Sequence, residues 1–437
     1  MKLSTQKIAE IADGKLSLLT GAEMVRSVEF DSRLVTPGSL FVPLKGARDG
    51  HDFIATAFLS GAVATFSERA IDAPHILVTN ALSAFQALAR YVLDHARPTV
   101  IAVTGSNGKT TTKDMIAAVL SEKFVTYKTQ GNHNNEIGLP YTILHMPRAT
   151  EKLVLEMGMD HPGDIDFLSA LAEPDFAVIT LIGEAHLEFM GSREAIAKGK
   201  MGITKGLHGE LVAPADPLIE RFIPENLEIT RFGDGAELHI TKLIEHKDRL
   251  SFEVSFLDAT LTVPVPGKYN ATNAMLAAYV GMRYGVPDSQ IKHALAHVSL
   301  TKNRTEWLKA ANGADILSDV YNANPTAMRL ILETFQAIPR NKNGRKMAVL
   351  ADMLELGVTA PELHAAVADS ITALDGIYLY GPLMAQLAAR LPHVQHFETL
   401  EQLTKAVVAD LAPDDQLLVK GSNGMKLSEL ILQLTEK

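Results

Sequence analysis

The run Thr104-Gly105-Ser106-Asn107-Gly108-Lys109-Thr110-Thr111 carries the residue types needed to grip a nucleoside triphosphate. Gly105 and Gly108 let backbone N–H groups turn inward around phosphate oxygens. A helix opening at Lys109 would add the partial positive charge of its N-terminus. The Lys109 ammonium can reach the β- and γ-phosphates, and the Thr110 hydroxyl can ligate Mg²⁺. The spacing is Gly-x-x-Gly-Lys-Thr, since Val103 stands where the first glycine of the commoner phosphate loop would be. A glycine-rich turn with a surface lysine is the bland alternative.

The elements around the run decide between them. Thr99–Thr104 is a short apolar stretch with β-branched residues between Pro98 and Gly105, which suits a buried parallel strand. A helical pattern follows from Lys109 to about Lys123, with Met115, Ile116, Val119 and Leu120 on one face. Strand, loop and helix come in the order a phosphate loop requires. Neither an Asn-Lys-x-Asp nor a Thr-Lys-x-Asp guanine signature is present, which argues against a GTPase switch.

Other residues could join this chemistry. Glu156 follows the apolar Leu153-Val154-Leu155, and a carboxylate at a strand end near the loop can hold a metal. Asn270 and Asn273 open an alanine-rich helical segment; an amide offers the donor and acceptor that match the adenine edge. Simple helix capping by Asn270 explains the same residue. His186, Lys198 and Lys200 follow the strand candidate Phe176–Thr180, with a strand end expected near Ile182; alone they read as a structural histidine and solvated charges. Asn322-Ala323-Asn324-Pro325 is a good turn sequence.

At 437 residues the chain is long enough for about two to four domains. Three blocks are expected, all of α/β type: residues 1–85, a doubly wound domain over 86–303, and a Rossmann-like domain over 304–437. The first block carries strand candidates at Ser39–Leu44 and His75–Val78, then a helix over Ala81–Ala96 that ends before Pro98. The third alternates strands at Asp315–Val320, Met347–Leu350, Ile377–Tyr380 and Gln416–Val419 with helices. A net charge of −10 argues against general nucleic-acid binding, which leans on clustered Lys and Arg. The absence of cysteine removes disulfides and thiolate chemistry and fits a reducing cytoplasm. No apolar run is long enough for a membrane span. A monomer is expected.

The phosphate loop resembles the Thr-Gly-Ser/Thr-Asn-Gly-Lys-Thr of Mur ligases and folylpolyglutamate synthases, and further matches run in family order from Asp31-Ser32-Arg33 to Lys420-Gly421-Ser422. The resemblance implies ATP-dependent amide-bond formation with two Mg²⁺ ions. It implies Glu156 and His186 as metal ligands and a carbamylated lysine as another. A carbamate is an anionic oxygen donor that suits a hard cation as an ammonium cannot, and by alignment of the Lys-x-Lys segment Lys200 is favoured over Lys198 for that role. It further implies Asn270 and Asn273 at adenine, Arg304 of Asn303-Arg304-Thr305-Glu306-Trp307 at the γ-phosphate and Asp319 at the ribose.

Several segments resemble the branch that joins D-Ala-D-Ala to UDP-MurNAc-tripeptide. They are Asn134-Asn135-Glu136-Ile137-Gly138, Tyr321-Asn322-Ala323-Asn324-Pro325, Leu350 to Gly357 with Ala351 where Gly is usual, and Lys420 to Lys426 with Asn423 where Arg is common. Asp31-Ser32-Arg33 and Gly46-Ala47-Arg48-Asp49-Gly50-His51 resemble the family's nucleotide-sugar domain, which folylpolyglutamate synthases lack. The substrate contacts implied are Ser32, Arg33, Arg48, Asp49, Asn134, Asn135, Tyr321, Asn322, Asn324, Lys420 and Ser422. Two alternatives stay open: a sister ligase adding an amino acid to UDP-MurNAc-dipeptide, and a nucleotide-binding switch without ligase activity.

Overall fold

The computed structural model describes residues 2–301 and 304–436. Lys302 and Asn303, at the expected junction of the second and third blocks, lie outside the described residues.

The N-terminal block is a five-stranded sheet in the order Lys15–Ser17, His75–Leu77, Ala64–Ser67, Ser39–Phe41, Ser27–Glu29. Only the Lys15–Ser17 edge strand runs antiparallel to its neighbour. The helix Ala81–Ala96 follows; Asn80 caps it by accepting from Ser83 N, and Arg97 ends it in the left-handed region before Pro98. This helix spans the expected boundary at residue 85. Its apolar face joins both neighbours, so one core runs from Phe66 and Ile76 through Phe85 and Leu88 to Leu153 and Leu155 of the next sheet.

The central block is a six-stranded, wholly parallel sheet. Its order is Ile229–Phe232, Glu210–Pro214, Phe176–Ile179, Thr99–Thr104, Lys152–Glu156, Thr126–Lys128. Side chains alternate across a strand, so Val100 and Ala102 enter the first core while Ile101 and Val103 enter a second under the helices Lys109–Ser121 and Lys268–Arg283. The helix after the phosphate loop was expected to bury one face. It is enclosed on nearly every side, and even Lys113 and Asp114 are buried. A three-stranded antiparallel sheet, Ile240–Glu245, Leu250–Val254 and Leu257–Val263, covers the second core's outer edge and was not read from the sequence.

The C-terminal block is a six-stranded sheet in the order Glu306–Lys309, Asp315–Asp319, Gln416–Lys420, Lys346–Ala351, Gly376–Tyr380, Gln395–Phe397. All but the first strand are parallel, with apolar cores on both faces. In open α/β sheets ligands gather beyond the carboxyl ends of strands where the order reverses. Thr99–Thr104 is such a strand, with later strands on either side, and the phosphate loop leaves its carboxyl end. Asp319 and Lys420 end two adjacent strands of the C-terminal sheet and face the same space. Among the described residues no helix is long and apolar enough to cross a membrane.

Candidate active site

The carboxyl ends of the two sheets enclose a cavity of about 1370 Å³. Its wall includes Ser106, Asn107, Gly108, Lys109, Thr110, Thr111, Glu156 and His186 from the central block, with Asn134, Asn135, Asn270 and Asn273. The C-terminal block contributes Arg304, Asp319, Tyr321, Asn322, Lys420 and Ser422. Residues more than two hundred positions apart in the chain therefore share one chamber.

The loop is shaped by contacts the sequence does not announce. Thr180, just past the neighbouring strand, donates its hydroxyl within the loop, 2.5 Å from the Asn107 carbonyl and 3.2 Å from that of Thr104. Gly105 does not line the cavity; a Cβ on it would fall 1.9 Å from Thr180 Oγ1, so only glycine fits. Gly108 sits at φ +82°, and a Cβ there would meet Asn273 Oδ1 at 2.7 Å. Ser106 Oγ accepts from Gly183 N at 2.9 Å, which ties the loop to the segment that leads to His186. Lys109 Nζ donates to the Gly105 carbonyl at 2.8 Å. Burial pushes its pKa down, opposed by the nearby charge of Glu156.

Glu156 ends its strand and is buried. Its Oε1 accepts from Asn134 Nδ2 at 2.9 Å, while Oε2 is buried with no hydrogen-bond partner. Among the described residues the one cation within ion-pair reach of Oε2 is Lys113 Nζ, at 3.7 Å. An orphaned carboxylate oxygen on the wall that carries Thr110 is what a hard cation would satisfy. No ready-made cluster of three His, Asp or Glu side chains exists among the described residues, so a metal here would need the Thr110 hydroxyl and further oxygens.

Lys200 and Lys198 differ sharply: the helix Arg193–Met201 buries Lys200 and exposes Lys198. Burial, then the like charge of Lys109, push the Lys200 pKa well below the usual lysine range. A neutral amine is the form that takes up carbon dioxide. The strand expected to end near Ile182 stops at Ile179, although Thr180 N still donates to the Thr104 carbonyl at 2.9 Å and Ser106 N to the Leu181 carbonyl at 2.8 Å. His186 then stands at φ +60°, at the head of the short helix Leu187–Met190. Its Nδ1 lies 2.7 Å from Glu355 Oε2 of the C-terminal block and 3.4 Å from Asp160 Oδ1.

Across the chamber, the Arg304 guanidinium stacks 4.0 Å from the centre of the Tyr321 ring, and its buried Nε has no hydrogen-bond partner among the described residues. Buried Lys420 binds Asp319 Oδ2 at 2.6 Å and the Asn322 carbonyl at 2.7 Å. Leu354 N donates to Ser422 Oγ at 2.9 Å. Asn324 caps the helix Pro325–Ala337 by accepting from Ala327 N, and its amide pairs with that of Asn107. It does not line the cavity itself, nor does Lys200. Asn270 does not cap its helix: Gly267 holds the cap position, and Asn270 Nδ2 donates to the Pro266 carbonyl at 2.7 Å.

The N-terminal quartet lies elsewhere. Ser32, Arg33, Arg48 and Asp49 are absent from the cavity wall. Arg33 is exposed and forks onto Asp31, with Nε 2.9 Å from Oδ1. Asp49 caps a 3₁₀ turn by accepting from His51 N at 3.0 Å. Arg48 is exposed. Sequence reasoning missed Thr180, Lys113 and Asp160, each an ordinary polar residue until the fold brings it to the site, and gave no role to Glu355 within the family-like segment Leu350 to Gly357.

Three family models match consecutive parts of the chain. They are the Mur ligase family catalytic domain over residues 24–103, the Mur ligase middle domain over 103–281 and the Mur ligase glutamate ligase domain over 303–423. The UDP-N-acetylmuramoyl-tripeptide–D-alanyl-D-alanine ligase of Bacillus subtilis is 38% identical over 454 aligned residues, covering 100% of this chain and 99% of the relative. The enzyme of that name from Escherichia coli is 31% identical, again over 100% of this chain and 99% of its own. A crystal structure of MurF from Acinetobacter baumannii superposes with a TM-score of 0.92 at 27% identity, covering 100% of this chain and 99% of that one. MurF from Thermotoga maritima in complex with ADP gives 0.84 at 30% identity over 94% of this chain and 97% of its own. Sequence and fold agree from one end to the other, and the chain belongs to the Mur ligase family.

Proposed function

We infer that this chain joins D-Ala-D-Ala to UDP-MurNAc-tripeptide at the expense of ATP, giving UDP-MurNAc-pentapeptide, ADP and phosphate for peptidoglycan synthesis. The observation that carries this reading is the single chamber walled by the phosphate loop, the unpartnered Glu156 oxygen, and Arg304 and Asp319 from the opposite block. Its relatives' names give the substrates, and the full-length match to them supports the same assignment over an amino-acid-adding sister or a switch. Residues 86–303 hold ATP, 304–437 hold the dipeptide and complete the ATP site, and 1–85 hold the nucleotide sugar through Ser32, Arg33, Arg48 and Asp49. One chain supplies every residue named, which supports a monomer, and the use of ATP with a nucleotide-sugar substrate supports a cytoplasmic enzyme.

The physical problem is an anion attacking an anion. The tripeptide carboxylate attacks the γ-phosphorus of ATP, the bond to the β-phosphate oxygen breaks, and ADP leaves an acyl phosphate. The dipeptide amine then attacks the acyl carbon and phosphate departs. Loop N–H groups from Asn107 to Thr111 and the helix N-terminus cradle the phosphates, since Gly105 lies off the cavity and Ser106 N is taken by the Leu181 carbonyl. Lys109 exchanges the Gly105 carbonyl for phosphate oxygens, whose negative charge favours its ammonium form. Arg304 brings its unpartnered Nε to the γ-phosphate. Asp319, held by Lys420, takes the ribose, and Asn270 and Asn273 take adenine. Asn134, Asn135, Tyr321, Asn322, Asn324 and Ser422 line or brace the space for the acceptor and the peptide. Thr110, Glu156, His186 and a carbamylated Lys200 would hold two Mg²⁺ ions, which would supply the positive charge that lets the carboxylate approach the phosphate. A closed chamber keeps water from the acyl phosphate.

The test is product mass after incubation with ATP, Mg²⁺, UDP-MurNAc-tripeptide and D-Ala-D-Ala. The expected product carries one added dipeptide and appears with equimolar ADP. Turnover of UDP-MurNAc-dipeptide with a free amino acid, and none with D-Ala-D-Ala, would overturn the assignment.

A further inference from the structure

The His186 contact crosses between domains. His186 belongs to the central block, yet the carboxylate nearest its Nδ1 is Glu355 Oε2, at 2.7 Å, on a loop of the C-terminal block. The two lie at ion-pair distance without the alignment of a hydrogen bond, which leaves the buried Nδ1 with no hydrogen-bond partner among the described residues and Glu355 as the acceptor a small turn of the ring would reach. That loop is braced. Asp352 accepts from Leu383 N at 3.2 Å and Met384 N at 2.9 Å, and Leu354 N donates to Ser422 Oγ at 2.9 Å. Its tip docks on the central block through the backbone, where Glu188 N donates to the Glu355 carbonyl at 3.0 Å. Gly357 packs so near that a Cβ would lie 3.1 Å from Glu188 Cα. His186 at φ +60° and Glu355 at φ +63° both occupy the left-handed region, which non-glycine residues adopt only when their surroundings hold them.

A histidine that ligates a metal through one ring nitrogen commonly gives the other N–H to a carboxylate, which fixes its tautomer and the plane of the ring. We propose that Glu355 is a positioning residue for His186: its carboxylate, supplied by the C-terminal block, takes the Nδ1 side and leaves Nε2 as the ring nitrogen available to a metal in the chamber. The inference rests on the reading of His186 as a metal ligand. It makes that ligand fully oriented only while the acceptor-binding block is docked, so phosphoryl transfer is coupled to the domain that brings the amine. Asp160, on the central block and 3.4 Å from the same nitrogen, is the residue able to stand in when Glu355 is gone.

The test is ADP affinity measured by titration calorimetry with Mn²⁺ and with EDTA, for wild type, His186→Ala, Glu355→Gln, Glu355→Ala, Asp160→Asn/Glu355→Ala and the last combined with His186→Ala. The gain in affinity that Mn²⁺ confers should fall about tenfold or more in His186→Ala and in Asp160→Asn/Glu355→Ala. Glu355→Gln, which keeps an acceptor oxygen, should recover most of it. Adding His186→Ala to the double variant should cost nothing further. A merely structural Glu355 would lower the melting temperature and leave the Mn²⁺ gain intact, which overturns the proposal while the His186 reading stands. Loss in His186→Ala that adds to the loss in the double variant also overturns it. A wild-type Mn²⁺ gain in His186→Ala removes the metal-ligand reading, and the proposal with it.

Discussion

Asn107 in the phosphate loop and Asn324 at the head of a C-terminal helix hold each other through both ends of their amides. Asn107 Nδ2 donates to Asn324 Oδ1 at 3.1 Å, and Asn324 Nδ2 returns to Asn107 Oδ1 at 2.8 Å. Among the described residues neither has an equivalent reciprocal partner in its own block, so the pair reports directly on how the two blocks meet. Asn324 also caps its helix, and serine can do that while losing the amide. Asn107→Ala and Asn324→Ser should therefore each slow ligation, and the double variant should be no slower than the worse single. A double-mutant cycle on kcat/KM for D-Ala-D-Ala should return a coupling of about 1 kcal/mol. Strict additivity would show the contact to be incidental.

Thr180 sets the loop's curvature through its hydroxyl, buried against the carbonyls of Thr104 and Asn107. Thr180→Val keeps the shape and removes that donor. ADP affinity should weaken about tenfold, as expected for a lost buried hydrogen bond of ~1.4 kcal/mol, with little change in the secondary-structure spectrum. Calorimetric titration with ADP measures it, and an unchanged affinity would mean the loop holds its form without Thr180.

Lys113 lies buried one helical turn beyond Lys109, 3.4 Å from Asp114 Oδ1 and 3.7 Å from Glu156 Oε2. Asp114 keeps other partners: Lys128 Nζ at 2.7 Å and the Thr301 hydroxyl at 2.7 Å. Among the described residues Glu156 has no second cation within 4 Å. Lys113→Met should destabilise the chain by about 3 kcal/mol, the cost of an uncompensated buried charge. Adding Glu156→Gln should recover part of that loss. Denaturant unfolding followed by fluorescence measures both, and a cost below about 1 kcal/mol for the single variant would contradict the account.

Asp315 links the C-terminal sheet to the antiparallel sheet of the central block through Lys247, and to Lys309 at 2.6 Å. Burial pushes its pKa up, but hydrogen bonds from Asn341, Lys247 and Lys309 outweigh this and leave it at about 2. A carboxylate depressed in the fold stabilises it above the unfolded value of about 4 and loses that contribution as pH falls through the folded value. Asp315→Asn should be less stable than wild type at neutral pH. The gap should narrow below pH ~4 and close near the folded pKa of about 2. Unfolding curves against pH check the sign; a gap that widens in acid would reverse it.

What was legible in the sequence follows from physics that is local. Thr99–Thr104 and Ala81–Ala96 have the bounds their pattern predicts, because apolar runs, caps and Pro98 act within a few residues. The antiparallel sheet Ile240–Val263 escaped reading because its first strand is mostly exposed or half-buried, with Lys242 and Glu245 among its residues. Lys113 reads as a solvated charge on a helix face, and only packing by the helix Lys268–Arg283 and the sheet makes it buried. Glu355 and His186 lie in separate blocks, so no spacing rule could pair them. Family motifs led to the chamber wall, but not to Thr180 or Asp160, which carry no motif.

Gly108 lies so near Asn273 that there is no room for a methyl group between the loop and the second turn of the helix Lys268–Arg283. The two arms that would hold the base and the phosphates of one nucleotide are thus clamped at a set gauge, like the jaws of a caliper. Analogues lengthened between base and α-phosphate should fit badly, while those extended beyond the γ-phosphate would project into the open part of the chamber.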